Sequence, residues 1–60
     1  MDNQVVITRM SNGLKRIKTF KNKKDAINFF VQWCDERDYD FDEDYHAGGI
    51  GHDYRIELIN

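Results

Sequence analysis

Between Asn22 and about Arg37 the chain reads NKKDAINFFVQWCDER, and its apolar residues recur at helical spacing. Ala26, Ile27, Phe30, Val31, Trp33 and Cys34, placed 100° apart, cover one broad face, with Phe29 at its margin. No Gly or Pro interrupts the run, so a helix of roughly four turns is predicted. Asn22 has the side chain of an N-cap, and Asp25 stands where it can reach back to the Asn22 backbone N–H. A helix this short is marginal alone and needs a sheet to pack against.

The flanking pattern changes from helical to alternating. Residues 4–10 (QVVITRM) and 14–20 (LKRIKTF) are rich in β-branched strand formers and are separated by Ser11-Asn12-Gly13, a hairpin signal. If Asn12 and Gly13 form a two-residue turn, Ile7 pairs with Lys18 and Thr8 with Ile17. If Gly13 closes a three-residue loop, Ile7 meets Ile17. The register decides which face is buried, and in either case one face carries several of Arg9, Lys15, Arg16 and Lys18. At the other end Tyr54, Ile56 and Leu58 alternate as a final strand within 53–59. Before it, Tyr39 and Phe41 alternate with Asp38, Asp40 and Asp42, so an extended chain would turn rings to one side and carboxylates to the other. Gly48, Gly49 and Gly51 permit a reversal. A strand around 38–45 paired with 53–59 and one long loop from 38 to 52 are the competing readings. The expected fold is α+β, one helix packed on a three- to four-stranded antiparallel sheet in the order ββα(β)β. The 60 residues should form one small domain, with Phe20, Phe30, Trp33 and Tyr54 in its core.

Composition places limits on this picture. With 40% apolar and 33% charged residues the chain suits a globular domain rather than a disordered one. At 60 residues its net stability should be only a few kcal/mol. The single cysteine, Cys34, excludes an internal disulfide and falls on the expected buried face, which fits a reducing, cytoplasmic setting. No apolar stretch has the length of a secretory signal or a membrane span.

Charge adds the feature that bears on function. The net charge is −2, yet residues 1–24 hold seven bases and one acid (+6), while residues 25–60 hold ten acids and two bases (−8). Seven of the ten residues from Asp35 to Asp44 are acidic: Asp35, Glu36, Asp38, Asp40, Asp42, Glu43 and Asp44. The helix also carries charges at the disfavoured ends, with Lys21, Lys23 and Lys24 at its start and Asp35 and Glu36 at its finish. Each such charge costs on the order of 0.3–1 kcal/mol when exposed. An uncompensated departure from a local rule is where function is expected.

Two binding functions follow. In the first, the carboxylates of residues 35–44 dock on a basic protein partner, as a stoichiometric inhibitor or adaptor whose regular acids imitate nucleic-acid phosphates. In the second, Arg9, Lys15, Arg16 and Lys18 of the hairpin act with Lys21, Lys23 and Lys24 at the helix start to hold nucleic-acid phosphates. Against the second stand the pI of about 5.5 and the acidic run. A homodimer in which the acidic part of one copy meets the basic part of another is a further arrangement. The segment Lys18-Thr19-Phe20-Lys21-Asn22-Lys23-Lys24-Asp25-Ala26 resembles a strand-to-helix joint of small phage and plasmid proteins, including the arm-type DNA-binding domain of phage integrases. That resemblance implies a basic sheet reading DNA, but the family has a third strand before its helix and lacks an acidic tail of this kind.

Other chemistry finds little support. Asp38-x-Asp40-x-Asp42 opens like a calcium loop, but the sixth and twelfth positions, which need Gly and Glu, hold Glu43 and Gly49. His46 and His52 flank the glycine turn without the repeated ligand pairs of a zinc site, even with Cys34 or Asp44 added. A Cys34–His nucleophilic pair needs an exposed thiol. Gly49-Ile50-Gly51 fails both the dinucleotide and P-loop patterns. No catalytic residue, metal or cofactor is expected.

Overall fold

The computed structural model describes residues 2–59. Five elements follow in order: β1 (Asn3–Arg9), β2 (Lys15–Phe20), α1 (Lys23–Glu36), β3 (His46–Gly48) and β4 (Tyr54–Ile59). The strands form one antiparallel sheet in the spatial order β2-β1-β4-β3, and α1 lies across one face of it. The expected α+β architecture is therefore the one observed, with four strands. Among the described residues no helix is long and apolar enough to cross a membrane.

The helix forms where its apolar spacing places it. Asn22 is the N-cap, and its Oδ1 accepts the Asp25 N–H at 3.0 Å. Ala26, Phe30, Trp33 and Cys34 are buried, while Ile27, Phe29 and Val31 are half-buried at the border of the core. They meet Val5 of β1, Ala47 of β3, and Ile56 and Leu58 of β4. Phe20 of β2 lies 5.5 Å from Phe29, and Tyr54 of β4 lies 5.8 Å from Trp33, ring centre to ring centre.

Both hairpin registers read from the sequence are wrong. Ile7 pairs with Arg16, not with Lys18 or Ile17, and Val6 pairs with Ile17. The turn is wider than either alternative, because Met10–Gly13 all lie outside the ladder. The Arg9 N–H donates to Leu14 O at 2.7 Å, and the Gly13 N–H donates back to Arg9 O at 2.8 Å. Gly13 takes the left-handed conformation (φ 74°) at the last loop position rather than inside a two-residue turn. The faces nonetheless sort as the two-residue turn would sort them, since the register differs from it by two. Ile7, Arg9, Arg16 and Lys18 share the helix side, and Lys15, Ile17 and Thr19 the opposite side.

The third strand also differs from expectation. Residues 38–45 are not a strand; only Phe41 bridges to Ala47, and the short β3 begins at His46. A tight turn interrupts pairing: the Tyr45 N–H donates to Asp42 O, and Asp42 Oδ1 accepts the N–H groups of Asp44 and His46, each at 3.0 Å. A long structureless loop from 38 to 52 is excluded by the same bonds. The glycine reversal is present, closed by the Gly49 N–H to Tyr54 O at 3.0 Å.

Candidate functional site

The sheet order sets the charge layout. Strand β2, with Lys15, Arg16 and Lys18, is one edge; β3, preceded by the acidic segment, is the other. Only three ion pairs occur among the described residues: Arg37–Glu36, His46–Asp42 and Arg55–Glu57. None joins the basic first 24 residues to the acidic 35–44 segment. The opposed charges are thus not consumed within the fold.

The acidic side is built on inward-facing rings. The helix ends in a Schellman arrangement, in which the Tyr39 N–H reaches Cys34 O at 2.9 Å and the Asp38 N–H reaches Asp35 O at 3.3 Å. Asp38 fills the left-handed position (φ 59°) that usually holds Gly. The Tyr39 ring then packs edge-on against Trp33, and its hydroxyl accepts the Tyr54 N–H at 3.3 Å. Two residues on, Phe41 packs edge-on against Phe30, and Tyr45 meets both rings. The segment is not the extended strand expected, yet the Tyr39 ring is half-buried and Phe41 packs on Phe30 while keeping 39% of its surface exposed, and Asp38, Asp40 and Asp42 are exposed.

The seven acids do not share one role. Asp42 is structural, since its carboxylate caps the turn and lies 3.9 Å from His46 Nδ1. Glu36 lies 3.7 Å from Arg37. Asp35, Asp38, Asp40, Glu43 and Asp44 are exposed and have no basic partner among the described residues. Beside them the tip of the β3–β4 loop presents Ile50, 98% exposed. Ile50 and Phe41 border the same open hollow of about 570 Å³ as Asp40, Asp42, His46 and His52. Although these acids and histidines border one hollow, no three metal-ligating side chains converge among the described residues. His52 instead packs its ring on Tyr39. Cys34 is fully buried, and burial, with Asp35 adding to it, pushes its thiol above the ordinary 9.0 while Arg37 opposes. A protonated, enclosed thiol is not a nucleophile.

The seven bases scatter more. Arg9, Arg16 and Lys18 line a groove of about 410 Å³ between the β1–β2 hairpin and α1, joined by Arg37 from the far end of the helix. Its remaining walls are Ile7, Leu14, Phe29, Trp33 and Tyr54, and no acid among the described residues lines it. Lys18 sits over the Phe29 ring at 5.0 Å and Arg37 over Trp33 at 4.1 Å. Lys15 points to the opposite side of the sheet, and Lys21, Lys23 and Lys24 cluster around the helix start. Among the described residues two strands precede the helix, where the integrase-type sheet has three. The part of Arg37, Trp33 and Leu14 in this groove was not read from the sequence, because it depends on how the helix crosses the hairpin. The even spacing of Arg16 and Lys18 was the one signal pointing to it. No protein-family model, no curated protein and no solved structure matches this chain.

Proposed function

We propose that the protein is a non-enzymatic binding module that docks its acidic side on a basic surface of a partner protein, as a stoichiometric inhibitor or adaptor. The observation that carries this reading is the pairing of unneutralised carboxylates with an exposed apolar tip. Asp40 borders the same hollow as Ile50 and Phe41, and Asp38, Asp40, Glu43 and Asp44 of this segment have no counter-ion among the described residues. Protein interfaces take their energy from a few desolvated apolar anchors and their steering from the charges around them. The segment is held in shape before any partner arrives, by its inward rings and the Asp42 cap, so little ordering entropy remains to be lost on docking.

Affinity capture tests it with three proteins: the unaltered chain, an Asp38→Asn/Asp40→Asn/Glu43→Gln/Asp44→Asn variant, and Ile50→Ser. Asp42 is left in place because it holds the turn. The expected result is a basic partner retained by the unaltered chain, released by high salt, and lost with the charge variant and with Ile50→Ser. A partner set that survives both variants would refute the reading.

A further inference from the structure

We propose that the free edge of β2 is a second docking site, which takes an extended acidic segment of a partner protein as a fifth strand of the sheet. The edge is six residues long, carries no Pro, and among the described residues pairs only with β1. The Arg9 N–H to Leu14 O bond fixes the antiparallel alternation. Arg16, Lys18 and Phe20 therefore direct their N–H and C=O groups to β1, while Lys15, Ile17 and Thr19 direct theirs outward. Among the described residues nothing bonds to that outer row.

The side chains select the occupant by charge. A strand laid antiparallel along β2 would place residues beside Arg16 and Lys18 on the helix side, at the rim of the acid-free groove, and beside Lys15 and Ile17 on the other side. Cross-strand neighbours sit roughly 5 Å apart, close enough for acids to pair with these bases. Ile17, 58% exposed, offers apolar contact to a β-branched residue between the acids. A second copy of β2 is disfavoured, because its cations would face these. The chain's own acidic segment cannot serve, because Asp42–Tyr45 is a closed turn rather than a strand. Nucleic acid fits less well, since Arg37 and Lys18 already cover the Trp33 and Phe29 rings on which bases would stack. The same cations that keep the edge from pairing with itself are neutralised by an acidic strand.

The test is nuclear magnetic resonance of the isotope-labelled full chain, titrated at about 50 mM salt with the end-blocked peptide acetyl-Thr-Glu-Val-Glu-Glu-Thr-amide. Its Val is placed against Ile17, its flanking Glu residues against Lys18 and Arg16, and its last Glu against Lys15. Saturable shifts centred on β2 are expected, with amide exchange slowed at Lys15, Ile17 and Thr19. Replacing the peptide's Val by Pro removes the donor to Ile17 O and should weaken binding about tenfold or more. A Lys15→Gln/Arg16→Gln/Lys18→Gln variant should lose binding while staying folded. The Asp38→Asn/Asp40→Asn/Glu43→Gln/Asp44→Asn variant should keep it, which separates this site from the acidic one. Shifts without slowed exchange, an unchanged affinity for the Pro peptide, or tighter binding of a thymidine oligonucleotide than of the peptide would each overturn the proposal.

Discussion

The two edges of this sheet are finished by opposite means. The β3 edge is three residues long and is shielded by its own chain: Phe41 bridges to Ala47, and a turn closes at Asp42–Tyr45. It holds its shape through special backbone conformations, with Asp38, Tyr45 and Gly48 all at positive φ. The β2 edge is six residues of regular strand, with no cover but charge among the described residues. A covered edge spends its polar groups on the fold, whereas an uncovered one keeps them for something else. Substitutions should therefore damage stability at β3 and leave it nearly untouched at β2.

The sharpest expected effect is at Gly48. Its φ of 77° is one that side chains avoid, and an added Cβ would collide with the Tyr54 backbone carbonyl oxygen and press on the Tyr39 ring. That backbone cannot yield without breaking the β3–β4 ladder. Gly48→Ala should cost about 3 kcal/mol or more, a large share of the stability of so small a chain, and should be visible as a lowered urea midpoint. A midpoint close to that of the unaltered chain would mean that the β3 edge adjusts freely. Next comes Asp42→Ala, which removes the acceptor for two turn N–H groups and should cost about 1–2 kcal/mol. Asp42→Asn keeps an acceptor oxygen and should recover most of the loss. If Asn is as harmful as Ala, the carboxylate's charge toward His46 matters more than its turn bonds.

The same contrast explains what was legible in the sequence. The helix was legible to within a residue because its signals are local: Asn22 caps it, and Ala26, Phe30, Trp33 and Cys34 recur at its period. The final strand was legible for the same reason, in Tyr54, Ile56 and Leu58. The hairpin register was not, because Asn12-Gly13 fits several loop lengths and the choice of a four-residue loop rests on where Gly13 falls in the closed turn. Strand β3 was missed because period-2 alternation at Asp38–Asp42 is also what a Schellman cap followed by an inward-packed turn produces. The charge split was plain in the sequence. That Arg9, Arg16 and Lys18 share a groove with Arg37 while Lys15 does not is a consequence of pleat and helix crossing, which composition does not contain.

A milder effect of the opposite sign is expected at the helix end. Asp38 is the αL residue of the Schellman arrangement, and it places a negative charge where the helix dipole is already negative. Gly removes both penalties, so Asp38→Gly should stabilise the fold by about 0.5–1 kcal/mol. Asp38→Asn, which also tolerates αL, should recover only the electrostatic part. A loss of stability with Gly would show that Asp38 makes a bond that its geometry does not reveal.

The smallest effects belong to β2. Lys15 and Arg16 are exposed, have no ion-pair partner among the described residues, and stand on opposite sides of an edge strand. Lys15→Gln and Arg16→Gln should each change stability by no more than about 0.5 kcal/mol. Any change should be a gain at low salt, because each substitution relieves repulsion among the bases of one hairpin, and the gain should shrink as salt screens that repulsion. Chemical denaturation in urea at two salt concentrations measures both quantities. Should either substitution cost more than 1 kcal/mol by the order of magnitude expected for a buried contact, the β2 cations would be part of the fold's own bonding, and the contrast between a self-covered edge and an available one would fail.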